Sequence, residues 1–217
     1  MKTIKSALFG FIALMALTST SSSFSLNGVY LEAGTSAVGV ALDGNHVNAD
    51  AGTTVGTVGK TAVTASYGLG YMLNKSGKLG LDIGYFVTPG EAKISGTSDS
   101  ATSDVTFEVS DSKEYYIAPM LNITDDASLY VKFGKASSDI KVTGDVTKPT
   151  SMDGNTVALG TVMSWGSNLF IRTEAGMTEY DKLTVTGLGT VGGTPLTTTI
   201  NATPDVHYGK IAIGYKF

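Results

Sequence analysis

The sequence predicts an all-β chain closed into an eight-stranded antiparallel up-and-down transmembrane β-barrel. Three observations carry that expectation. Eight segments alternate apolar with small or polar residues over 10–14 positions, whereas globular strands usually run about 5–6 residues and membrane-crossing strands need about 9–11. The connections between them alternate short and long, as in a barrel with tight turns on one rim and loops on the other. The chain ends on Ile211-Ala212-Ile213-Gly214-Tyr215-Lys216-Phe217, an alternating strand whose last residue is aromatic. Chain ends usually fray in water, so that ending is unexpected in a soluble protein.

The amino terminus supplies an export signal. Lys2 and Lys5 precede an apolar run from Ala7 to Leu17 and the small-residue tract Thr18 to Ser23. A basic start, a short apolar core and small residues make a secretory signal peptide. Its core of about 11 residues is too short for a membrane helix, which needs about 20. Residues 1–23 are therefore read as the signal and 24–217 as the barrel domain. With no cysteine to lipidate, a lipoprotein is excluded, as are disulfides and cysteine-based redox or metal chemistry. The net charge of −4 becomes more negative once the two signal lysines are removed, which argues against a nucleic-acid partner.

The strand candidates are 27–38, 61–73, 78–88, 113–122, 128–137, 155–165, 169–180 and 204–217. Short turns follow at Asn74–Gly77, Ile123–Ala127 and Gly166–Asn168, and long polar loops are expected at 39–60, 89–112, 138–154 and 181–203. Within the loops, Asp43-Gly44-Asn45 and Asp153-Gly154-Asn155 read as turn formers. Each strand has a bulky apolar face and a small, Gly-rich one. Leu79, Leu81, Ile83, Tyr85 and Val87 oppose Gly80, Asp82, Gly84 and Phe86; Leu129, Val131 and Phe133 oppose Tyr130, Lys132 and Gly134. Glycine packs nothing on an exposed face, and an eight-stranded lumen is only wide enough for side chains. The small face is therefore expected inside and the apolar face toward lipid.

With these features together, the chain resembles the small eight-stranded bacterial outer-membrane β-barrels, the opacity-protein-like and OmpA/OmpX-like group. The most specific match is the closing strand, where the family carries a sorting signal for the barrel-assembly machinery. Lys210, Tyr215 and Phe217 match it, and Ala212 stands where glycine is preferred. The resemblance implies an integral outer-membrane protein with both termini periplasmic, a monomer in contact with outer-membrane lipid and lipopolysaccharide. It implies no cofactor.

The charged residues on the Gly-rich faces are Glu32, Asp82, Glu114, Lys132, Arg172, Glu174 and Lys210, and Arg172 is the only arginine of the chain. Buried charges need partners, so a lumen charge network is expected, either a gate or a polar plug that fills and stiffens the barrel. Tyr71, Trp165, Tyr215 and Phe217 sit at the short-turn ends, where an interfacial girdle would anchor the barrel, with Tyr85 and Tyr115 toward the outer girdle. Catalysis is not expected: His46 falls in a loop and His207 on the lipid-facing side, with no serine two residues away. Asp99, Asp104, Glu108, Asp111, Asp139, Asp145 and Asp153 have no calcium-loop spacing and read as a solvated acidic rim, so no metal site is expected. The expected function is a non-enzymatic barrel displaying surface loops for envelope integrity, adhesion or surface interaction. The alternative is a narrow porin-like channel for small ions or hydrophobic solutes, with Pro119 and Pro204 as weak points in the wall.

Overall fold

The structure, a computed structural model, describes residues 28–48, 52–73, 78–96, 105–124, 126–143, 146–147, 149–165, 168–191 and 194–217. Residues 1–23, Asn74–Gly77, Gly166 and Ser167 lie outside these, as do Asp99, Asp104 and Asp145. The strands are β1 (Val29–Asn48), β2 (Gly52–Leu73), β3 (Leu79–Gly96), β4 (Val105–Asn122), β5 (Ala127–Thr143), β6 (Val146–Thr147), β7 (Ser151–Trp165), β8 (Leu169–Tyr180), β9 (Leu183–Val191) and β10 (Thr194–Lys216). Neighbours pair antiparallel in the order β1-β2-β3-β4-β5-β7-β8-β10, and β10 pairs back onto β1 from Tyr30↔Lys216 to Val47↔Thr199. Eight strands thus close a barrel. The ladder extends to the carboxyl end, where Phe217 N–H donates to Val29 C=O at 2.9 Å and Lys216 N–H to Asn168 C=O at 2.7 Å. That closure is why the aromatic terminus does not fray.

The outward face is apolar around the barrel. Leu69, Phe133 and Ile213 are 51%, 50% and 56% exposed, and Ile83, Ile117, Leu159 and Met163 stand with them. A continuous belt of this kind is a lipid-facing surface. Tyr71 and Trp165 are exposed at its short-turn edge, where Tyr215 and Phe217 meet edge to face at 5.1 Å. Tyr85 and Tyr115 pack as a tilted pair at 4.6 Å further up.

The strands outrun the expected ones, and this corrects the loops. Much of 39–60, 89–112, 138–154 and 181–203 is strand: β1 and β2 pair up to Asn48↔Gly52, β3 and β4 up to Gly96↔Val105, and β9 pairs with β10 from Ala202↔Leu183 to Thr194↔Val191. These stretches are rich in Thr, Val and Gly, and pairing to a neighbouring strand satisfies their backbones better than isolated turns would. At roughly 2.5 Å of height per tilted residue, a 20-residue strand rises about twice the height of an apolar band of about 25 Å. The two turn formers are corrected likewise. Asp43–Asn45 lies in β1, paired on both sides, and Asp153–Asn155 lies in β7. Gly154 serves a close approach instead, since a Cβ there would come within 2.9 Å of the Tyr180 ring. Glu108 is buried on β4 and is no part of a solvated rim.

Candidate functional site

The seven charged residues expected in the lumen all point inward, six of them buried and Glu114 nearly so. They form two linked clusters crossing from wall to wall. In the first, Arg172 on β8 reaches Glu32 on β1 (Nε to Oε2, 2.9 Å) and Asp82 on β3 (Nη2 to Oδ2, 2.7 Å). The Tyr30 and Tyr116 hydroxyls donate to the two oxygens of Asp82 at 2.9 and 3.1 Å, touch each other, and accept from Arg172 at 3.2 and 3.3 Å. In the second, Lys132 on β5 reaches Glu174 on β8 at 2.6 Å and Glu114 on β4 at 3.0 Å. Tyr130 and Tyr208 donate to Glu174 at 2.5 and 2.7 Å. Lys210 on β10 joins the clusters loosely, at 3.4 Å from Glu32 and 3.8 Å from Glu174, with its ammonium 3.5 Å from the centre of the Phe86 ring.

Taking charges out of water costs several kcal/mol per ion unless pairing and hydrogen bonds compensate. Here two of the buried carboxylates, Asp82 and Glu174, each bind a cation at 2.6–2.7 Å and two tyrosine hydroxyls. Aromatic rings complete the cation sites: the Arg172 guanidinium lies 5.2–5.8 Å from the ring centres of Tyr130, Tyr30 and Phe170. Below the charges, toward the short turns, Met72, Met120, Val162 and Phe170 fill the barrel.

Room for these side chains comes from glycines at paired positions. Tyr30 is opposite Gly70, Tyr116 opposite Gly84, Tyr130 opposite Gly160 and Phe170 opposite Gly214. A Cβ at Gly70 or Gly160 would fall on the tyrosine ring that lies across it. Phe86 and Tyr130 stand on the small faces expected inside, whereas Tyr30, Tyr116, Phe170 and Tyr208 have no part in the sequence expectation, though a signal exists: on each strand they share the two-residue parity of the charged residue next to them, as in Tyr30/Glu32, Tyr116/Glu114 and Phe170/Arg172.

Above the charges the lumen opens into a chamber of about 140 Å³. Glu114, Lys132, Glu174, Tyr208 and Lys210 form its floor, and Val38, Val40, Val109, Ala136 and Val206 much of its wall. The wall is split on one side. β2 and β3 pair only from Leu73↔Leu81 to Tyr67↔Val87, although both strands continue well beyond. Immediately above Val87 the β3–β4 ladder bulges between Thr88 and Glu91, with Gly90 at φ +139°, and β4 bulges against β5 between Ser110 and Lys113, with Asp111 at φ +49°. Of the two prolines, Pro119 falls in a break of the β4–β5 ladder between Ile117↔Phe133 and Met120↔Tyr130. Pro204 is buried where β10 exchanges β8 for β9 as its partner. His207 is exposed on the outer face of β10, opposite Gly39 and Met177.

No family model and no curated protein sequence matches this chain. Its structure is similar to solved ones. The crystal structure of the outer membrane protein OprG from Pseudomonas aeruginosa superposes with a TM-score of 0.57 at 13% identity, over 88% of this chain and 96% of OprG. The solid-state NMR structure of the outer membrane protein AlkL in lipid bilayers does so with a TM-score of 0.52 at 17% identity, over 91% of this chain and 94% of AlkL. The likeness extends over nearly the whole of each chain, and at these identities it concerns the fold. The protein has the closed, eight-stranded antiparallel fold of the outer-membrane β-barrels.

Proposed function

We propose that the protein is a non-enzymatic, integral outer-membrane barrel closed to through-flow, which presents its long outer strands and loops at the cell surface. Both termini would lie on the periplasmic side, beside the short turns. One observation carries the closed state: the Arg172–Glu32–Asp82 and Lys132–Glu174–Glu114 clusters cross the lumen, with tyrosine hydroxyls on their carboxylates. Side chains held that way fill a barrel whose interior is only wide enough for side chains. Envelope integrity, adhesion or surface interaction then falls to the outer half, where recognition on a rigid scaffold usually sits. Single-channel recording in planar bilayers tests this. The wild type is expected to be silent, and steady conductance through it would overturn the proposal.

The alternative, a narrow channel for small ions or hydrophobic solutes, draws on a different observation, the unpaired seam between β2 and β3 beside the chamber. In that case solutes would leave sideways above the charged floor, with no passage through it. Solute uptake by proteoliposomes that show no conductance would favour this second reading.

A further inference from the structure

The charge balance of the chamber suggests what it holds. Besides Glu91, its lining carries three carboxylates, Asp111, Glu114 and Glu174, against two ammonium groups, Lys132 and Lys210. The seven-residue network below is also one negative charge in excess. Three of its carboxylates are sealed off: the side chains of Glu32, Asp82 and Glu174 are at most 1% exposed, whereas that of Glu114 keeps 16%. Of the four carboxylates, Glu114, paired with Lys132 at 3.0 Å, is therefore the one reachable from the chamber. An anion entering this space would meet like charge in a low-dielectric site, which is strongly unfavourable.

An independent observation marks the β2 wall. Ser66 on β2 is 3% exposed, lines the chamber, and its hydroxyl has no hydrogen-bond partner; the hydroxyl of Thr64, two residues up the same strand, has none either. Buried hydroxyls in folded proteins are almost always satisfied, by protein, water or ligand. Register places Thr64, Ser36 and Lys210 side by side across β2, β1 and β10, with Ser66 two residues further down β2, so the free acceptors lie next to the floor. The valines and Ala136 above offer an apolar enclosure, and the volume suits about ten waters or non-hydrogen atoms.

We propose that this chamber is a binding site for a small organic monocation, an ammonium group carrying a short apolar body. The ammonium pairs with Glu114 and donates to Ser66 or Thr64, and the body lies against Val38, Val109 and Val206. The site does not depend on whether the barrel conducts, and a silent bilayer leaves it standing. The probe is n-butylammonium, titrated into the protein in zwitterionic lipid nanodiscs and followed by backbone amide shifts, with butyrate and n-butanol as matched controls. Saturable shifts at Ser66, Val109 and Val206 are expected, with butyrate at least about tenfold weaker, the scale of one charge-assisted hydrogen bond. Glu114→Gln, checked for folding by heat-modifiable gel mobility, is expected to remove the preference for the cation. Should that variant fail to fold, Ser66→Ala and the wild-type series decide. Equal binding of butyrate or n-butanol, or shifts confined to the outward belt, would overturn the proposal.

Discussion

Replacing Arg172 by methionine tests whether the lumen network holds the barrel together. The side chain is fully buried and makes two ion pairs, at 2.9 Å to Glu32 and 2.7 Å to Asp82, besides its bonds to Tyr30 and Tyr116. Methionine fills most of the volume and leaves two carboxylates without their main cation. Glu32 retains Lys210 at 3.4 Å, and Asp82 retains two tyrosine hydroxyls, so part of each charge stays solvated by protein. Breaking a buried pair from one side costs about 3–5 kcal/mol, and with a urea slope of about 2 kcal/mol per molar the midpoint falls by about 2 M. The assay is urea unfolding in lipid vesicles, read by the fluorescence of Trp165, the single tryptophan, which is exposed at the short-turn rim. The triple variant Glu32→Gln, Asp82→Asn, Arg172→Met removes the orphaned charges and is expected to recover most of the loss, because a buried ion cluster replaced as a whole is often nearly neutral. A single variant within about 1 kcal/mol of wild type, or a triple variant worse than the single, would refute this account.

Two further outcomes are expected. Gly160→Val drives a side chain into the Tyr130 ring and is expected to cost about 1–3 kcal/mol as overpacking; Gly209→Val, whose Cβ meets nothing within 4 Å, is expected to stay within about 0.5 kcal/mol. Equal losses at the two positions in the same urea assay would count against the paired aromatic and glycine arrangement. Phe217→Ser keeps the backbone bond to Val29 and removes the ring beside Tyr215. On the reading that Lys210, Tyr215 and Phe217 form a sorting signal, Phe217 matters for delivery, and the variant is expected to refold into vesicles like wild type but accumulate less in the outer membrane of cells. Unchanged amounts in cells would remove that role.

Much of the barrel was legible because a two-residue period fixes both faces of a strand at once. Once Asp82, Gly84 and Phe86 are read as one face, the facing of Leu81, Ile83 and Tyr85 follows, and the same parity places Arg172 and Glu174 inside. Pairing partners were not legible, since parity says nothing about register. That Tyr30 meets Gly70, or that Arg172 spans from β8 to Asp82 on β3, depends on how far each strand slides against the next. The loops misled for a related reason. Residues 181–203 look polar, yet Thr and Val pair well once a neighbour is present, and the neighbour is supplied by β10 folding back on β9. Gly154 shows the same limit locally: next to Asp153 and Asn155 it has the composition of a turn, and only the packing of Tyr180 against it assigns it to a strand.

The division between plug and chamber has a backbone cause. The row that includes Phe86, Glu114 and Ala136 is the last inward-facing one in register across β3, β4 and β5, and the bulges lie just above it, on β3 between Thr88 and Glu91 and on β4 between Ser110 and Lys113. Bulges bend a strand and increase its twist. Two neighbouring strands, β3 and β4, bend at one level, while β2 stays with β1, which remains paired on both sides up to Val47. The β2–β3 ladder ends at Tyr67↔Val87, one residue before the first bulge. Pro89, which has no N–H to donate, and Gly90, with its positive φ, occupy the bulge itself. The Arg172–Glu32–Asp82 cluster therefore sits where β1, β3 and β8 each have both neighbours, and the chamber where one ladder is missing. Opening free energy follows the local density of such bonds, so the chamber wall can widen along its seam while the plug beneath keeps its geometry. That separation is what a site for a small solute above a closed lumen requires.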